Sequence, residues 1–138
     1  MPKIPSEMEG VTIEFGDKVN GSVDSKVISA LKHMLAGGKI STHKIEKIYI
    51  SSANDQHVLP SRHVQGQGKA VDISRINGKK MSVYYPGDPE VKAITEGLQT
   101  RFETFVHRRE NFGPFMKYKN GSSHPVSGHT DHIHISVN

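Results

Sequence analysis

The end of the chain alternates strictly between polar and aliphatic residues, and this period of two most constrains the fold. Residues 131–137 read Asp-His-Ile-His-Ile-Ser-Val. Successive side chains of a strand point to opposite faces of a sheet, so His132 and His134 share one face and the aliphatic residues share the other. The pattern predicts a strand over 132–137 that packs one face on a core and presents chemistry on the other.

A second stretch, Ser61–Ile73, carries a histidine and an aspartate on either side of a glycine-rich bend. His63 precedes the bend, and Asp72 follows it inside the β-prone run Ala70-Val71-Asp72-Ile73. A single aspartate in a strand is usually a water-exposed edge or turn residue. Together with the closing histidines, however, this aspartate suggests a zinc site.

The composition limits the ligands that such a site can use. The chain has no cysteine, so disulfides, thiolate metal sites and cysteine nucleophiles are excluded, and any metal must be bound by His, Asp or Glu. Its 138 residues predict one domain, 1–138, and its 13 Gly and 7 Pro predict many turns around a modest core.

Charge and hydropathy bear on partners and location. The net charge of +4 and the pI near 9.3 favour polyanions such as an anionic cell wall or nucleic acid, but we find no nucleic-acid motif. We expect no membrane insertion, since no run approaches about 20 apolar residues. The start lacks the apolar core of a signal peptide, so we expect cytoplasmic synthesis, with release or carriage by other components for any action outside.

Four segments are predicted to be strands before the closing one. Val11–Phe15 alternates with period two, Lys47–Ser51 places two isoleucines on one face, and Ala70–Ile76 runs into Asn77-Gly78, a strong hairpin signal. Met81–Tyr85 is then expected to return antiparallel.

Two helices are predicted from caps and apolar stripes. Asp24 caps the first, which ends at Gly37-Gly38, and Asp88-Pro89 begins the second. Their stripes are Val27, Ile28, Leu31, Met34 and Leu35 in the first, and Val91, Ile94, Leu98, Phe102 and Phe105 in the second. In the second helix, Arg101, Glu103 and Arg108 are expected to face water. Glu110–Thr130 shows no periodicity and is predicted to be a long functional or mobile loop.

These elements predict an α+β fold in which a small antiparallel sheet is flanked by two main helices, with the zinc site on the sheet face. Each histidine alone is more often a surface or core residue than a ligand. Four of the nine histidines nevertheless fall between His124 and His134. We assign His124 and His129 to a loop rim or to adventitious binding.

The motifs Ser61-x-His63-x-x-Gly66, Gly68–Asp72 and Asp131-His132-Ile133-His134 resemble those of the zinc peptidases grouped with lysostaphin, D-Ala-D-Ala metallopeptidases and hedgehog amino-terminal domains. Within that group the chain looks most like D-Ala-D-Ala carboxypeptidase-like enzymes and phage endolysins that act as L-alanyl-D-glutamate peptidases. The specific motifs cover about a fifth of the chain.

The resemblance implies that His63, Asp72 and His134 bind Zn²⁺ and that the substrate is peptidoglycan. It also implies an acidic catalytic base at Asp131, three residues before His134, and an assisting role for His132. A regular strand would point Asp131 away from the metal, so a bend or bulge is expected there.

The chain departs from the resembled group at two places. Two extra residues separate His63 from Asp72. The arginine or glutamine that many relatives carry after the preceding strand is missing, and Gln56 and Arg62 are the candidate substrate-binding substitutes.

The first functional hypothesis is therefore a monomeric zinc metallopeptidase, an endopeptidase or carboxypeptidase, that cleaves peptidoglycan stem peptides. It would act as an endolysin after holin release, or as a virion-associated cell-wall hydrolase. The alternative is a non-catalytic zinc-containing binding module of the same fold. A basic nucleic-acid-binding domain ranks last, because aromatics do not interleave with the basic residues.

Overall fold

The structure, a computed structural model, describes residues 1–54 and 67–138. The strands found in these residues are β1 (Glu7–Met8), β2 (Val11–Phe15), β3 (Lys39–Ile40), β4 (His43–Lys44), β5 (Lys47–Ser52), β6 (Ala70–Ile76), β7 (Lys79–Lys80), β8 (Arg108–Phe112), β9 (Lys117–Lys119), β10 (Ser122–Ser123) and β11 (Ile133–Val137). The α-helices of the same residues are α1 (Ser25–Met34), α2 (Met81–Tyr84) and α3 (Pro89–Phe102).

One large sheet contains all of these strands except β3 and β4, which pair with each other. Its order is β1-β2-β5-β6-β11-β8-β9-β10, and β7 pairs with β6. The β2–β5 pair is parallel, whereas the other described pairs are antiparallel. The predicted α+β class is confirmed and the sheet is mostly antiparallel, but its nine described strands make it larger than the small sheet that was predicted. The last strand, β11, lies in the sheet interior between β6 and β8.

Helix α1 forms as its cap and apolar stripe predict. The Asp24 carboxylate accepts a hydrogen bond from the Lys26 amide at 2.8 Å, and Val27, Leu31 and Met34 are buried. The helix ends before Gly37, whose φ of 76° is a conformation that glycine adopts without steric cost.

Helix α3 begins as predicted but is shorter than the apolar spacing suggested. The Asp88 carboxylate caps the amides of Glu90 and Val91 at 2.9 and 3.0 Å. The helix ends at Phe102, so Phe105 is buried from the following turn rather than from a helical stripe. The expectation that Arg101 faces water is wrong, because its guanidinium donates to backbone carbonyls at the end of α1 and beyond, namely those of Met34, Ala36 and Lys39.

The core lies between the helices and one face of the sheet. Its buried side chains include Val27 and Leu31 of α1, Ile94 and Leu98 of α3, Val71 and Ile73 of β6, and Ile133 and Ile135 of β11. The aliphatic face of β11 therefore packs on the core as its alternation predicts. In the described ranges, no helix has the length and apolar character needed to cross a membrane.

The predicted return strand at Met81–Tyr85 is wrong. The Asn77-Gly78 turn forms, with positive φ values of 51° and 79°, but its return strand is only β7, and α2 follows immediately. Met81 is fully buried and Tyr85 packs partly buried against the core, whereas Val83 is 68% exposed, so the run lacks the alternating buried face of a strand. A short helix at this place buries Met81 and turns the chain toward α3, and this packing outweighs β propensity.

The predicted long loop at Glu110–Thr130 is also wrong over its first half. Strand β8 includes Glu110, and β9 and β10 follow, joined by the turn at Asn120-Gly121. Strand β8 has no apolar alternation because both of its faces carry polar side chains, with Glu110 on one face and Asn111 on the other.

Candidate functional site

The candidate site lies on the sheet face opposite the helices, along a row of directly paired residues. The row runs Ser52, Asp72, His134, Phe112 and Lys117, across β5, β6, β11, β8 and β9. Side chains of paired residues in antiparallel strands lie on the same face, with their Cβ atoms about 5 Å apart. The pairing thus brings together an aspartate and a histidine that are 62 residues apart in the sequence.

The His134 ring contacts a carboxylate through each of its nitrogens. Nδ1 lies 2.9 Å from Asp72 Oδ1, and Nε2 lies 3.1 Å from Glu110 Oε1. Glu110 can reach the ring because it is diagonal to it in the sheet: its direct partner on β11 is Ser136, two residues after His134. Two of the predicted site residues, Asp72 and His134, are therefore in contact.

The Glu110 carboxylate is fixed by further hydrogen bonds. Ser136 Oγ donates to Oε1 at 2.7 Å and accepts from the Glu110 amide at 3.1 Å, which locks the serine against the glutamate. Ser136 is fully buried. Ser136, a residue of β11, thus holds in place the same Glu110 oxygen, Oε1, that faces His134.

A β-bulge brings a cation to the same carboxylate. In an uninterrupted ladder Val137 would face Arg109, but it pairs with Arg108 instead, so Arg109 is an extra residue of β8. Bulges re-aim side chains in this way. Nη1 of Arg109 lies 2.9 Å from Glu110 Oε1.

These contacts set the charges of the site. Burial works against a charged His134, but the hydrogen bonds to Asp72 and Glu110 outweigh it and raise the pKa of His134 to about 9. Burial likewise works against a charged Glu110, yet the hydrogen bonds from His134 and Ser136, with the charges of His134 and Arg109, lower the pKa of Glu110 to about 2. Without a metal, His134 is an imidazolium between two carboxylates.

Aromatic rings surround His134 on the same face. Phe112 stacks beside it, with centroids 5.8 Å apart, and His129 lies 5.7 Å away. Phe112 also stacks on His124, at 5.9 Å. Burial, and next the charges of His132 and His134, lower the pKa of His129. Both loop histidines therefore lie on the rim of the site.

The predicted catalytic residues Asp131 and His132 precede β11 instead of belonging to it. His132 Nδ1 lies 2.7 Å from Asp131 Oδ1, and this hydrogen bond lowers the pKa of Asp131. The Asp131 side chain is 62% exposed. The His132 ring approaches the site through His129, with ring centroids 5.1 Å apart.

The Asp72–His134 pair fits a zinc ion in donor chemistry and nearly in distance. Imidazole nitrogen and carboxylate oxygen are both zinc ligands, and two ligands at about 2.1 Å from a tetrahedral ion stand about 3.4 Å apart. Nδ1 and Oδ1 are now 2.9 Å apart. Binding would require loss of the Nδ1 proton and a separation of about half an ångström.

The remaining predicted site residues, His63, Gln56 and Arg62, lie outside the described residues. Within residues 1–54 and 67–138, no group of three or more His, Asp or Glu side chains is placed to hold a metal ion. The described residues thus contain two of the three predicted ligands, Asp72 and His134, and the Glu110 carboxylate that contacts His134.

Sequence reasoning missed Glu110, Arg109 and Ser136. Ser136 had a readable signal, because it follows His134 on the same face in the period-two pattern. Glu110 and Arg109 had none, since their place depends on which strand pairs with β11 and on a bulge.

Comparisons of the chain with protein-family models, with curated proteins and with solved structures found no match.

Proposed function

We propose that the protein is a zinc-dependent peptidase of the resembled group that hydrolyses peptide bonds in peptidoglycan stem peptides. The observation that carries the proposal is the contact between Asp72 Oδ1 and His134 Nδ1, at 2.9 Å, on the sheet face away from the core. These residues are two of the three ligands that the resemblance implies. His63 completes the proposed set.

The surroundings of the pair support a metal-binding role over a purely structural one. A histidine that binds metal through one nitrogen usually donates its other N–H to a carboxylate, and Glu110 occupies that position beside Nε2. A zinc ion bound by the three ligands would supply a Lewis acid and a water of lowered pKa.

Asp131 and His132 form the proposed proton-handling pair. The Asp131 carboxylate accepts the His132 Nδ1–H, which orients the ring so that Nε2 is the nitrogen able to take or give a proton. This arrangement supports a division of roles in which Asp131 acts partly through His132. Gln56 and Arg62 remain the proposed substrate-binding residues.

The choice of peptidoglycan rests on charge as well as on resemblance. Stem peptides and their attached wall polymers are anionic, and the chain carries a net charge of +4. We propose that the protein reaches the wall as an endolysin or as a component of a virion, and that it acts as a monomer.

One observation favours the alternative of a non-catalytic zinc-containing binding module. The carboxylate proposed as the base, that of Asp131, points into solvent with its side chain 62% exposed. Such a module would bind zinc and cell walls without releasing any fragment.

The test combines metal analysis with a cell-wall digestion assay and mass analysis of the products. We expect His63→Ala and His134→Ala to lose bound zinc, because each removes one of three ligands. Asp131→Asn should keep its zinc and lose turnover. The matched control is His43→Ala on β4, in the separate two-stranded sheet, which should keep both metal and activity.

Two results would decide against the peptidase. Zinc-loaded wild type that releases no fragments, in conditions where a peptidase of the resembled group does, would leave only the binding module. Failure of the wild type to take up zinc would remove both candidates.

A further inference from the structure

Glu110 has a geometry that neither the sequence motifs nor the proposed ligand set accounts for. Its Oε1 atom receives three contacts: His134 Nε2 at 3.1 Å, Ser136 Oγ at 2.7 Å and Arg109 Nη1 at 2.9 Å. Ser136 Oγ in turn accepts a hydrogen bond from the Glu110 amide at 3.1 Å. A carboxylate held this firmly is suited to hold another group in place.

The His134 ring leaves two arrangements open for a metal. In the first, Nε2–H donates to Glu110, and Nδ1 faces the metal together with Asp72. In the second, the roles are exchanged, so that Nδ1–H donates to Asp72, and Nε2 and Glu110 bind the metal. Both nitrogens lie within hydrogen-bond distance of a carboxylate, so distance alone does not choose.

The surroundings of Glu110 argue against the second arrangement. A cation already lies against Glu110, because the Arg109 guanidinium is 2.9 Å from Oε1, and its side chain is only 21% exposed. A divalent ion at the same oxygen would be repelled by that guanidinium at short range. The same oxygen also accepts the Ser136 hydroxyl, which a metal would have to displace.

We infer that Glu110 is a positioning residue: it holds the proton on His134 Nε2, so that Nδ1 and Asp72 together face the metal. Ser136 and Arg109 hold Glu110 in turn. This inference rests on the proposed zinc site and adds residues that do not touch the ion.

The test measures zinc affinity by competition with a chromophoric chelator, without any cell-wall substrate. Loss of such a carboxylate partner typically weakens metal binding by about 10- to 100-fold, and we expect a loss of this size for Glu110→Gln. Ser136→Ala should weaken binding only several-fold, since Arg109 still holds the carboxylate. The matched control is Glu14→Gln on β2, which removes a cross-strand pair with Lys47 at 3.7 Å and should leave zinc affinity unchanged.

A second measurement needs no variant. Ring ¹⁵N spectra of zinc-loaded wild type should place the His134 proton on Nε2 and the metal on Nδ1. A proton on Nδ1 would overturn the inference and make Glu110 a ligand. Equal zinc affinity in wild type and Glu110→Gln would overturn it as well.

The results also separate this inference from the proposed function. Weak zinc binding by Glu110→Gln, with no wall hydrolysis by wild type, would support the positioning role and reject the peptidase. Wild type that hydrolyses walls but has the same zinc affinity as Glu110→Gln would support the peptidase and reject the positioning role. Wild type that binds no zinc would reject both.

Discussion

Two consecutive residues of β8, Glu110 and Asn111, belong to two polar networks on opposite faces of the sheet. Glu110 joins the charged network with His134 on the face away from the core. Asn111, 1% exposed, joins an amide network with the fully buried Gln99 of α3, and its side-chain nitrogen also donates to the Glu103 carboxylate at 2.9 Å. The two networks share a strand, yet they differ in whether their polar atoms can still change protonation state or hydrogen-bond partner.

Every hydrogen-bonding position of the Gln99 side-chain amide is used. Its nitrogen donates to Asn111 Oδ1 and to the Met116 carbonyl, both at 3.0 Å, and its oxygen accepts from the Phe115 and Met116 amides at 3.0 and 3.2 Å. An amide offers two donors and two acceptor sites, so this group is saturated. The network fastens α3 to the chain that leaves β8.

The charged network differs because its central ring can change protonation and partner. His134 is held by two carboxylates, and loss of one proton would convert it from an ion-pair partner into a metal ligand. We therefore expect the saturated amide network to serve the fold, and the network around a titratable ring to serve the proposed metal binding. Substitutions in the first should cost stability, and those in the second should cost metal affinity.

The largest expected effect comes from breaking the amide network. Gln99→Ala leaves the part-buried amides of Phe115 and Met116 without their acceptor and the buried Asn111 Oδ1 without its donor, and we expect unfolding to become easier by about 3 kcal/mol. Urea denaturation measures this. The exposed neighbour Thr100→Ala should change the free energy of unfolding by less than about 0.5 kcal/mol. Zinc affinity of the folded Gln99→Ala protein should equal that of wild type. A large loss of affinity would show that the two networks are coupled and would contradict the comparison.

A smaller effect is expected from crowding the same amide. A Cβ at Gly113 would lie 2.5 Å from the Gln99 amide carbon and oxygen, so Gly113→Ala should destabilise the protein by about 2 kcal/mol. Gly87→Ala is the matched control, because a Cβ added there would meet nothing within 4 Å. Thermal unfolding of both variants measures the difference. Equal stability would mean that the Gln99 side chain moves aside easily.

The apolar face of the sheet was predictable from the sequence because its signal is local. Alternation fixed the core-facing residues of β11, and caps fixed the beginnings of α1 and α3. Met81–Tyr85 failed because its short helix depends on how the chain must turn toward α3. A local propensity contains no information about that requirement.

The polar face was predictable only in part. Alternation places Asp72 on one face of β6 and His134 on one face of β11. When β6 and β11 pair, these faces form one side of the sheet and the two side chains meet. Strand β8 could not be recognised, since Glu110 and Asn111 are polar on both faces and give no apolar period. Recognition of its role requires the pairing with β11, which is a long-range property.

The two networks should also differ in their response to pH in metal-free protein. The pKa of Glu110 is lowered to about 2, so its contribution to stability is present above about 4.5 and is lost as pH falls toward 2. The pKa of His134 is raised to about 9, so its contribution is present below about 6.5 and is lost as pH rises through 9. Wild type should therefore exceed Glu110→Gln in stability most between pH 4.5 and 6.5.

Urea denaturation across this pH range, with a chelator present, measures the difference. The stability difference between wild type and Gln99→Ala is the reference, because the Gln99 side chain does not titrate and that difference should stay nearly constant. A pH-independent difference for Glu110→Gln would contradict the assignment of charge to its network.

The smallest expected effect is that of Arg109→Gln, which tests whether the cation beside Glu110 contributes to the fold or only to the choice of metal position. The guanidinium pairs with Glu110 at 2.9 Å, but Ser136 still donates to the same carboxylate at 2.7 Å when the guanidinium is removed, so urea denaturation should show a loss of about 1 kcal/mol. Ser136 still holds Glu110 in this variant, so the removed repulsion should dominate: zinc affinity should rise slightly at low ionic strength and return to the wild-type value in high salt, which screens that repulsion. A loss of several kcal/mol would instead make Arg109 a structural member of β8, and its proposed role in keeping the metal on the Asp72 side of His134 would lose its basis.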